Sequence, residues 1–352
     1  DWLGRTADRT SRQMLLFVGL AVTAIAPLCY WLFPSLPVLI GLRLTQGAGV
    51  AAFSTGYVTL VMDIAPPQHR GKALSYMGLT KTLGAGFGAW GGSFLQKQAG
   101  YSSLFLLASG LALVGWLYCW RLQEPPREKA SERDAIAPDK FWQLLCNRRI
   151  GILVLLSFLI GLTSSGVGDF LPLFIEDANI AFDPGFFYLA IGLATLASRL
   201  VVGGISDRSG RGLCSTIGFT FYFIAMLVLW MAQDGLGLLL VAILEGFSAG
   251  TLLPTLAATI GDRTHKNERG RAMSFWMGGF DLGMAIAAPI AGWLANTYGY
   301  RSLFAVTTGI AGLTLLLFIT YSGTTFYHSW QYACRSASSR FPSSISTTAK
   351  RP

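Results

Sequence analysis

Charged residues are scarce in this sequence. They make up 13% of the 352 residues, whereas hydrophobic residues make up 52%. Soluble globular chains carry roughly 25% charged residues, so a soluble protein of this length could not cover its surface. Long runs carry no charge at all, among them 13–42, 98–120, 212–233 and 282–300. A helix crosses a bilayer with ~20 mostly apolar residues, so the composition predicts a polytopic membrane protein.

Cysteine and histidine are also rare. The five cysteines are odd in number and lack metal-binding spacings such as CxxC, which predicts reduced side chains and no disulfide framework. The three histidines fall in loops or in the C-terminal tail. The sequence shows no Ser/His/Asp set, phosphate-binding loop or metal-ligand cluster. We therefore expect neither an enzyme nor a bound cofactor.

Ten apolar segments predict ten membrane-spanning helices. Lipid offers no hydrogen-bond partner to the backbone, so each span must satisfy its own N–H and C=O groups. A β-barrel would need alternating apolar and polar residues, which these segments lack. The segments are 13–33, 36–62, 73–97, 101–121, 150–174, 184–206, 213–233, 236–260, 271–296 and 301–322. The predicted fold class is all-α.

Basic residues collect on one side of these segments. Of the 27 lysines and arginines, 22 lie on the side that holds both chain ends, and only Lys97 and Arg301 lie on the other. The positive-inside rule then predicts a multi-pass protein with both termini in the cytoplasm. The net charge of +9 therefore indicates topology and not nucleic-acid binding.

One charged, proline-containing stretch divides the segments into four and six. We predict an incomplete N-terminal half bundle at 1–121, a cytoplasmic linker at 122–149 and a C-terminal half bundle at 150–322. Residues 323–352 are rich in serine and threonine without an apolar period. This composition predicts a disordered cytoplasmic tail.

The two halves repeat each other at a single offset. Residues 70–76 (RGKALSY) match residues 269–275 (RGRAMSF), an offset of 199 (269 − 70) that also pairs Gly47 with Gly246. The second half has two segments before its loop at Gly203, whereas the first half begins at the equivalent loop. The repeat therefore predicts a parent of twelve helices, six in each half, of which this chain lacks the first two.

Two loops and one helix carry a resemblance to a known family. Gly4, Asp8, Arg9 and Arg12 are matched at the same offset by Gly203, Asp207, Arg208 and Arg211. This pattern resembles the cytoplasmic loop signature of the major facilitator superfamily, and Arg43-x-x-Gln46-Gly47 resembles a second motif of that superfamily. The resemblance covers residues 1–322 and implies a bacterial efflux-type secondary transporter whose halves are parallel repeats.

The resemblance implies a gating role for the two loops. Asp63 and Asp262 end helices at the cytoplasmic face, where the helix dipole opposes a carboxylate, so each needs a cation such as Arg9 or Arg208. The loop aspartates are implied to meet helix starts in the opposite half and to latch the cytoplasmic side shut. The alternative is that these charges only fix the geometry and orientation of the loops.

Six polar residues inside the segments are candidates for the substrate path or for coupling. They are Arg43, Gln46, Lys81, Asp169, Glu245 and Asp281. Ionisable residues within a span are functional candidates by default. Glu245 is the proton-coupling candidate, because a low-dielectric cavity favours the neutral carboxyl. The alternatives are a fixed pair with Arg43 for Glu245, a solvated position for Asp169, and contacts between halves for Lys81 and Asp281.

These features are typical of a secondary transporter. We expect proton-coupled efflux of a small solute by alternating access, carried out by a monomer in the cell (inner) membrane. The expected partners are lipid, the solute and protons. Residues 87–92 (FGAWGG) keep the Gly-Gly of the antiporter subgroup but lack its Gly-Pro, which weakens the case for drug/proton antiport. The alternative is a non-transporting receptor or a membrane-embedded enzyme on the same scaffold.

Overall fold

The described part of the protein is built from helices alone. The computed structural model describes residues 12–66, 70–122, 148–209, 211–264 and 269–338. Within these ranges there are nine helices and no strands: α1 (Arg12–Leu32), α2 (Leu36–Ile64), α3 (Arg70–Cys119), α4 (Arg148–Asp177), α5 (Pro184–Ser209), α6 (Arg211–Met231), α7 (Gly235–Arg263), α8 (Arg269–Tyr298) and α9 (Tyr300–Ser338). All nine are long and apolar enough to cross a membrane, which confirms the predicted all-α membrane fold.

Helix α3 contains two of the ten predicted segments. It has 50 residues, far more than the ~20 that one crossing requires. Gly100 interrupts it with φ 75° and ψ 178°, a conformation that essentially only glycine adopts. The helix therefore consists of two arms, 70–99 and 101–119, and each of the ten predicted segments is present as a helix.

The helix bounds repeat at the offset read from the sequence. Helices α1 and α6 begin and end 199 residues apart (211 − 12), and so do α2 and α7 (235 − 36). The break at Gly100 corresponds to Gly299, which separates α8 from α9 with φ 81°. No other glycine in the described ranges has a positive φ. The internal repeat is therefore present in the backbone as well as in the sequence.

The chain divides into two compact units, Asp1–Ala135 and Ile136–Pro352. In the second unit α4 packs against α8, α5 packs against α7, and α6 packs against both α7 and α9. Its core is apolar and includes the fully buried rings of Phe187 and Phe304. In the first unit α1 packs against α2 and α3.

Helices α5 and α7 approach closely because two glycines face α5. A Cβ on Gly246 would lie 2.6 Å from the carbonyl oxygen of Ile191, and a Cβ on Gly250 would lie 2.6 Å from that of Thr195. Small residues four apart let two membrane helices bring their backbones together. The position and rotation of α7 against α5 therefore depend on these glycines.

Helix α8 uses the same spacing against α4. A Cβ on Gly279 would lie 2.9 Å from the carbonyl oxygen of Val154, and Gly283 makes a further close approach one turn later. At the offset of 199, Gly246 and Gly283 are matched by Gly47 and Gly84, and a Cβ on either of these would have no atom within 4 Å. These two repeated positions are therefore packed in the second unit and open in the first, where α1 and α2 approach each other at Gly19 instead.

Helix α9 runs past the predicted end of its segment. It continues to Ser338, whereas the composition predicts a disordered tail from residue 323. Adding a residue to an existing helix costs little, because each added residue gains one backbone hydrogen bond. Composition therefore misplaced the boundary for residues 323–338. Residues 339–352 lie outside the described ranges, where the tail stays a prediction.

Candidate functional site

Polar side chains gather inside the second unit. Helix α4 contributes Thr163, Ser164, Ser165 and Asp169, α5 contributes Tyr188, α6 contributes Tyr222, and α7 contributes Glu245 and Ser248. We call these eight residues the polar cluster. The surrounding core is apolar, and buried polar groups in such a core are normally hydrogen-bonded. The partners of each side chain therefore indicate what the cluster can bind.

Glu245 has one oxygen without a partner. The side chain as a whole is partly buried, but its Oε2 is fully buried and accepts no hydrogen bond within the described residues. The Oγ of Ser248, a residue only 1% exposed, is also without a partner there. Residues three apart share a helix face, so both oxygens lie on one face of α7. A proton, a water molecule or a donor group of a solute would satisfy them.

Tyr222 connects α6 to α4 through its hydroxyl group. The hydroxyl lies 2.5 Å from the Oγ1 of Thr163 and 3.3 Å from the Oγ of Ser164. The ring is buried. Tyr222 therefore ties α6 to the hydroxyl-bearing turn of α4.

Asp169 and Tyr188 lie together at the more open end of the cluster. Ser165 donates a hydrogen bond of 2.6 Å to the Oδ2 of Asp169, and the Tyr188 hydroxyl donates one of 2.6 Å to the carbonyl oxygen of Gly168. Asp169 is exposed. Tyr188 therefore ties α5 to the segment of α4 that carries Asp169.

The structure brings two of the three predicted carboxylates of the second half into one cluster and leaves Asp281 outside it. Sequence reasoning named Asp169 and Glu245 because they are charged residues inside spans. It missed Tyr188 and Tyr222, because tyrosine is common in apolar segments and its partners depend on helix rotation. The available signal was the Thr-Ser-Ser run at 163–165 in an otherwise apolar segment.

In the first unit, Tyr30 brings Arg43 and Gln46 together. Its hydroxyl donates a hydrogen bond of 2.7 Å to the Oε1 of Gln46. The guanidinium carbon of Arg43 lies 5.4 Å from the centre of its ring, within the range of a cation–π contact. Arg43 is otherwise exposed. Both predicted residues therefore use one aromatic side chain of α1, which sequence reasoning did not identify.

For the remaining predicted site residues, the structure shows exposed side chains or does not describe the side chains. Lys81 on α3 and Asp281 on α8 have exposed side chains, and their role in contacts between halves stays a prediction. Gly4, Asp8 and Arg9 lie outside the described residues. Arg12, Asp63, Gly203, Asp207, Arg208, Arg211 and Asp262 lie at helix ends, and apart from the backbone they too are outside the description. The latch between the loops therefore stays a prediction.

The chemistry of the cluster is that of proton exchange and hydrogen bonding. Its members supply two carboxylates, two phenols and four aliphatic hydroxyl groups. In the described ranges, no three His, Cys, Asp or Glu residues are grouped so that they could hold a metal ion. A buried carboxylate beside hydroxyl groups can carry a proton, or it can accept hydrogen bonds from a solute.

Comparison with known proteins gives one family and a set of efflux pumps. The family model described as Major Facilitator Superfamily matches residues 2–237 and 192–330. The "Multi-drug resistance efflux pump PmrA homolog" of Lactococcus lactis is 25% identical over 323 residues, which cover 87% of this chain and 76% of the relative. The "Multi-drug resistance efflux pump PmrA" of Streptococcus pneumoniae is 27% identical over 318 residues, covering 87% and 77%.

A third relative and one solved structure agree with these matches. The "Multidrug resistance protein MdtG" of Klebsiella pneumoniae is 24% identical over 319 residues, covering 87% of this chain and 76% of the relative. The human organic anion transporter MFSD10 (TETRAN) superposes with a TM-score of 0.65 at 19% identity, covering 90% of this chain and 79% of the other. At that identity the likeness concerns the fold alone.

Proposed function

The chain belongs to the Major Facilitator Superfamily, a family of membrane transporters, and on this premise we propose that it expels small solutes by proton-coupled alternating access. Glu245 carries the coupling proton, and the two half bundles rock about a central path. Membership of the family supports membrane transport. The coupling ion, the direction of transport and the rocking motion are the proposal.

The observation that carries the proposal is the buried, unpartnered Oε2 of Glu245. An ionised carboxylate without donors is costly in an apolar core. Protonation removes the charge, and movement of the side chain to water restores it. The Glu245 side chain is therefore stable as the neutral carboxyl in the apolar core and as the ionised carboxylate in water. Such a group can bind a proton on one side of the membrane and release it on the other.

The class of solute is proposed from the relatives. Their printed names describe multidrug resistance efflux pumps, so we propose that this chain handles drug-like solutes of more than one structure. Arg43 and Gln46, held by Tyr30, contribute polar contacts on the path. Lys81 and Asp281 contribute contacts between the halves.

The proposed setting is the cell (inner) membrane, with both termini in the cytoplasm and one chain per functional unit. The strong bias of lysine and arginine to one side of the segments supports this orientation. The loop motif around Asp8 and Asp207 then lies in the cytoplasm, where it acts as the latch.

The test is gradient-driven flux in proteoliposomes. A pH gradient is imposed, and the movement of ethidium and a panel of other drug-like solutes is compared for the full-length twelve-helix parent that the repeat predicts and for its Glu245→Gln variant. We expect flux in the unmodified parent and at least a tenfold loss in the variant, because glutamine cannot carry the proton. Glu176→Gln, an exposed position at the end of α4, is the matched control. Equal flux in both glutamine variants would show that Glu245 is not the coupling residue.

A further inference from the structure

One face of α5 lies against α7 and leads to Glu245. Ile191, Thr195 and Ser198 occupy this face at helical spacing and meet α7 through close backbone approaches and a 3.0 Å hydrogen bond from Ser198 to the Phe247 carbonyl oxygen. Tyr188 precedes Ile191 by three residues and therefore lies on the same face, one turn further along. Ile191 lies level with Gly246 and Thr195 with Gly250, so the two helices run in the same direction and Tyr188 lies level with the turn of α7 that leads to Glu245.

The hydroxyl of Tyr188 is also fixed next to Asp169. It donates to the carbonyl oxygen of Gly168, the residue directly before Asp169. Ser165 holds the Asp169 carboxylate through a 2.6 Å hydrogen bond. Tyr188 therefore contacts the segment of α4 that carries Asp169 and lies level with the turn of α7 that leads to Glu245.

The two carboxylates differ in exposure. Asp169 is exposed, whereas Glu245 is half-buried and its Oε2 is fully buried. A proton that is to reach this oxygen therefore needs a donor group close to it. Asp169 is the exposed carboxylate that shares Tyr188 with Glu245.

Few other titratable or charged groups reach this region from the surrounding helices. From α6, Tyr222 faces Glu245, but its hydroxyl is engaged by Thr163 and Ser164 of α4. On α5, Arg199 follows Ser198 and lies three turns from Tyr188. On α8, Asp281 is exposed. Within the described residues, the groups that link water to Glu245 are therefore Asp169 and Tyr188.

Resting on the proposed function, we propose that Asp169 is the entry carboxylate, which takes a proton from water and passes it to Glu245 past the Tyr188 hydroxyl. In the first step the Asp169 carboxylate gains the proton and water loses it. In the second step the O–H bond at Asp169 breaks as one forms at Glu245, and Asp169 returns to its ionised state. Tyr188 is a positioning residue, and its hydroxyl group neither gains nor loses a proton in the overall transfer.

The test measures proton arrival at Glu245 without any solute. The full chain in lipid nanodiscs is subjected to a rapid drop in pH, and infrared spectroscopy follows the C=O stretch of the newly protonated carboxyl groups. The part of the band that disappears in Glu245→Gln belongs to Glu245. We expect this part to form at least tenfold more slowly in Asp169→Asn and to reach the same final amplitude. In Tyr188→Phe we expect a smaller slowing, and Asp169→Glu should restore the rate.

Two controls and two contrary outcomes complete the experiment. Glu176→Gln and Tyr298→Phe change exposed groups of the same types and should keep the rate of the unmodified chain. An unchanged rate in Asp169→Asn, or a changed amplitude at an unchanged rate, overturns the entry role of Asp169 and leaves Glu245 as the coupling residue. A band that is the same in Glu245→Gln as in the unmodified chain instead contradicts the proposed function itself, because Glu245 then gains no proton.

Discussion

Individual hydroxyl groups determine how the polar cluster is held in an apolar core. Tyr222 bonds to Thr163, and Thr163 also donates to backbone carbonyl groups of its own helix. Interhelical hydrogen bonds of this kind contribute about 0.6 kcal/mol on average in membrane proteins. The contribution is small, because the unfolded helices in lipid find other partners. The cluster is therefore positioned by many weak bonds and by packing.

Removal of the Tyr222 hydroxyl should lower stability slightly. Tyr222→Phe keeps the ring packing and removes the bonds to α4, so we expect a loss of about 1 kcal/mol in the free energy of unfolding. Reversible unfolding in mixed micelles measures the change. Tyr298→Phe, at an exposed ring, should be neutral. A loss of equal size in both variants would show that the α4 bonds contribute nothing.

At the scale of helices, the same glycine pattern has different consequences in the two units. Gly246 lies against the backbone of α5, whereas its repeat equivalent Gly47 has open space around it. The sequence pattern of small residues is similar, but only contact with another helix turns it into packing energy. The internal repeat therefore supplies a matched pair of positions for mutation.

A large side chain should be tolerated at one of these positions and not at the other. Gly246→Leu places a side chain against the α5 backbone, which cannot yield, so we expect destabilisation on the order of 3 kcal/mol. Gly47→Leu should change stability by much less. Unfolding of both variants in mixed micelles measures the difference. Equal losses would mean that the approach of α5 to α7 is not tight.

The turn between α8 and α9 should depend on the backbone freedom of Gly299. Its φ of 81° lies in the left-handed region, where a Cβ costs about 1–2 kcal/mol. Gly299→Ala should therefore lower the unfolding free energy by about that amount, and Gly100→Ala should do the same at the break in α3. Gly110→Ala, inside a helix with open space around it, should be neutral or stabilising, because alanine favours helix over glycine.

At the scale of the molecule, the chain consists of two repeated helical units in a membrane transporter family. Its relatives and its fold are those of transporters, which confirms the expectation that it is not an enzyme. The distribution of basic residues predicts which side of each unit faces the cytoplasm. That orientation can be measured directly.

Cysteine labelling tests the orientation. In a chain whose native cysteines are replaced by alanine, Ala130→Cys and Ala181→Cys are labelled with a membrane-impermeant maleimide. We expect Ala181→Cys to react in intact cells and Ala130→Cys to react only in inverted vesicles, because the linker lies on the basic side. Reaction of both positions from the same side would contradict the predicted topology.

The sequence by itself determined the number of spanning segments, their repeat and most of their bounds, with the end of α9 at Ser338 as the exception. Apolar length and the offset of 199 residues are local or periodic signals, and they survive folding because each span satisfies its own backbone. It also identified Glu245 and Asp169, since a charge in lipid is conspicuous. Only the tertiary structure decided that Tyr188 bonds to the α4 backbone beside Asp169 and that Gly246 is packed while Gly47 is open. Those facts depend on how each helix is rotated against its neighbours, and many weak contacts set that rotation together.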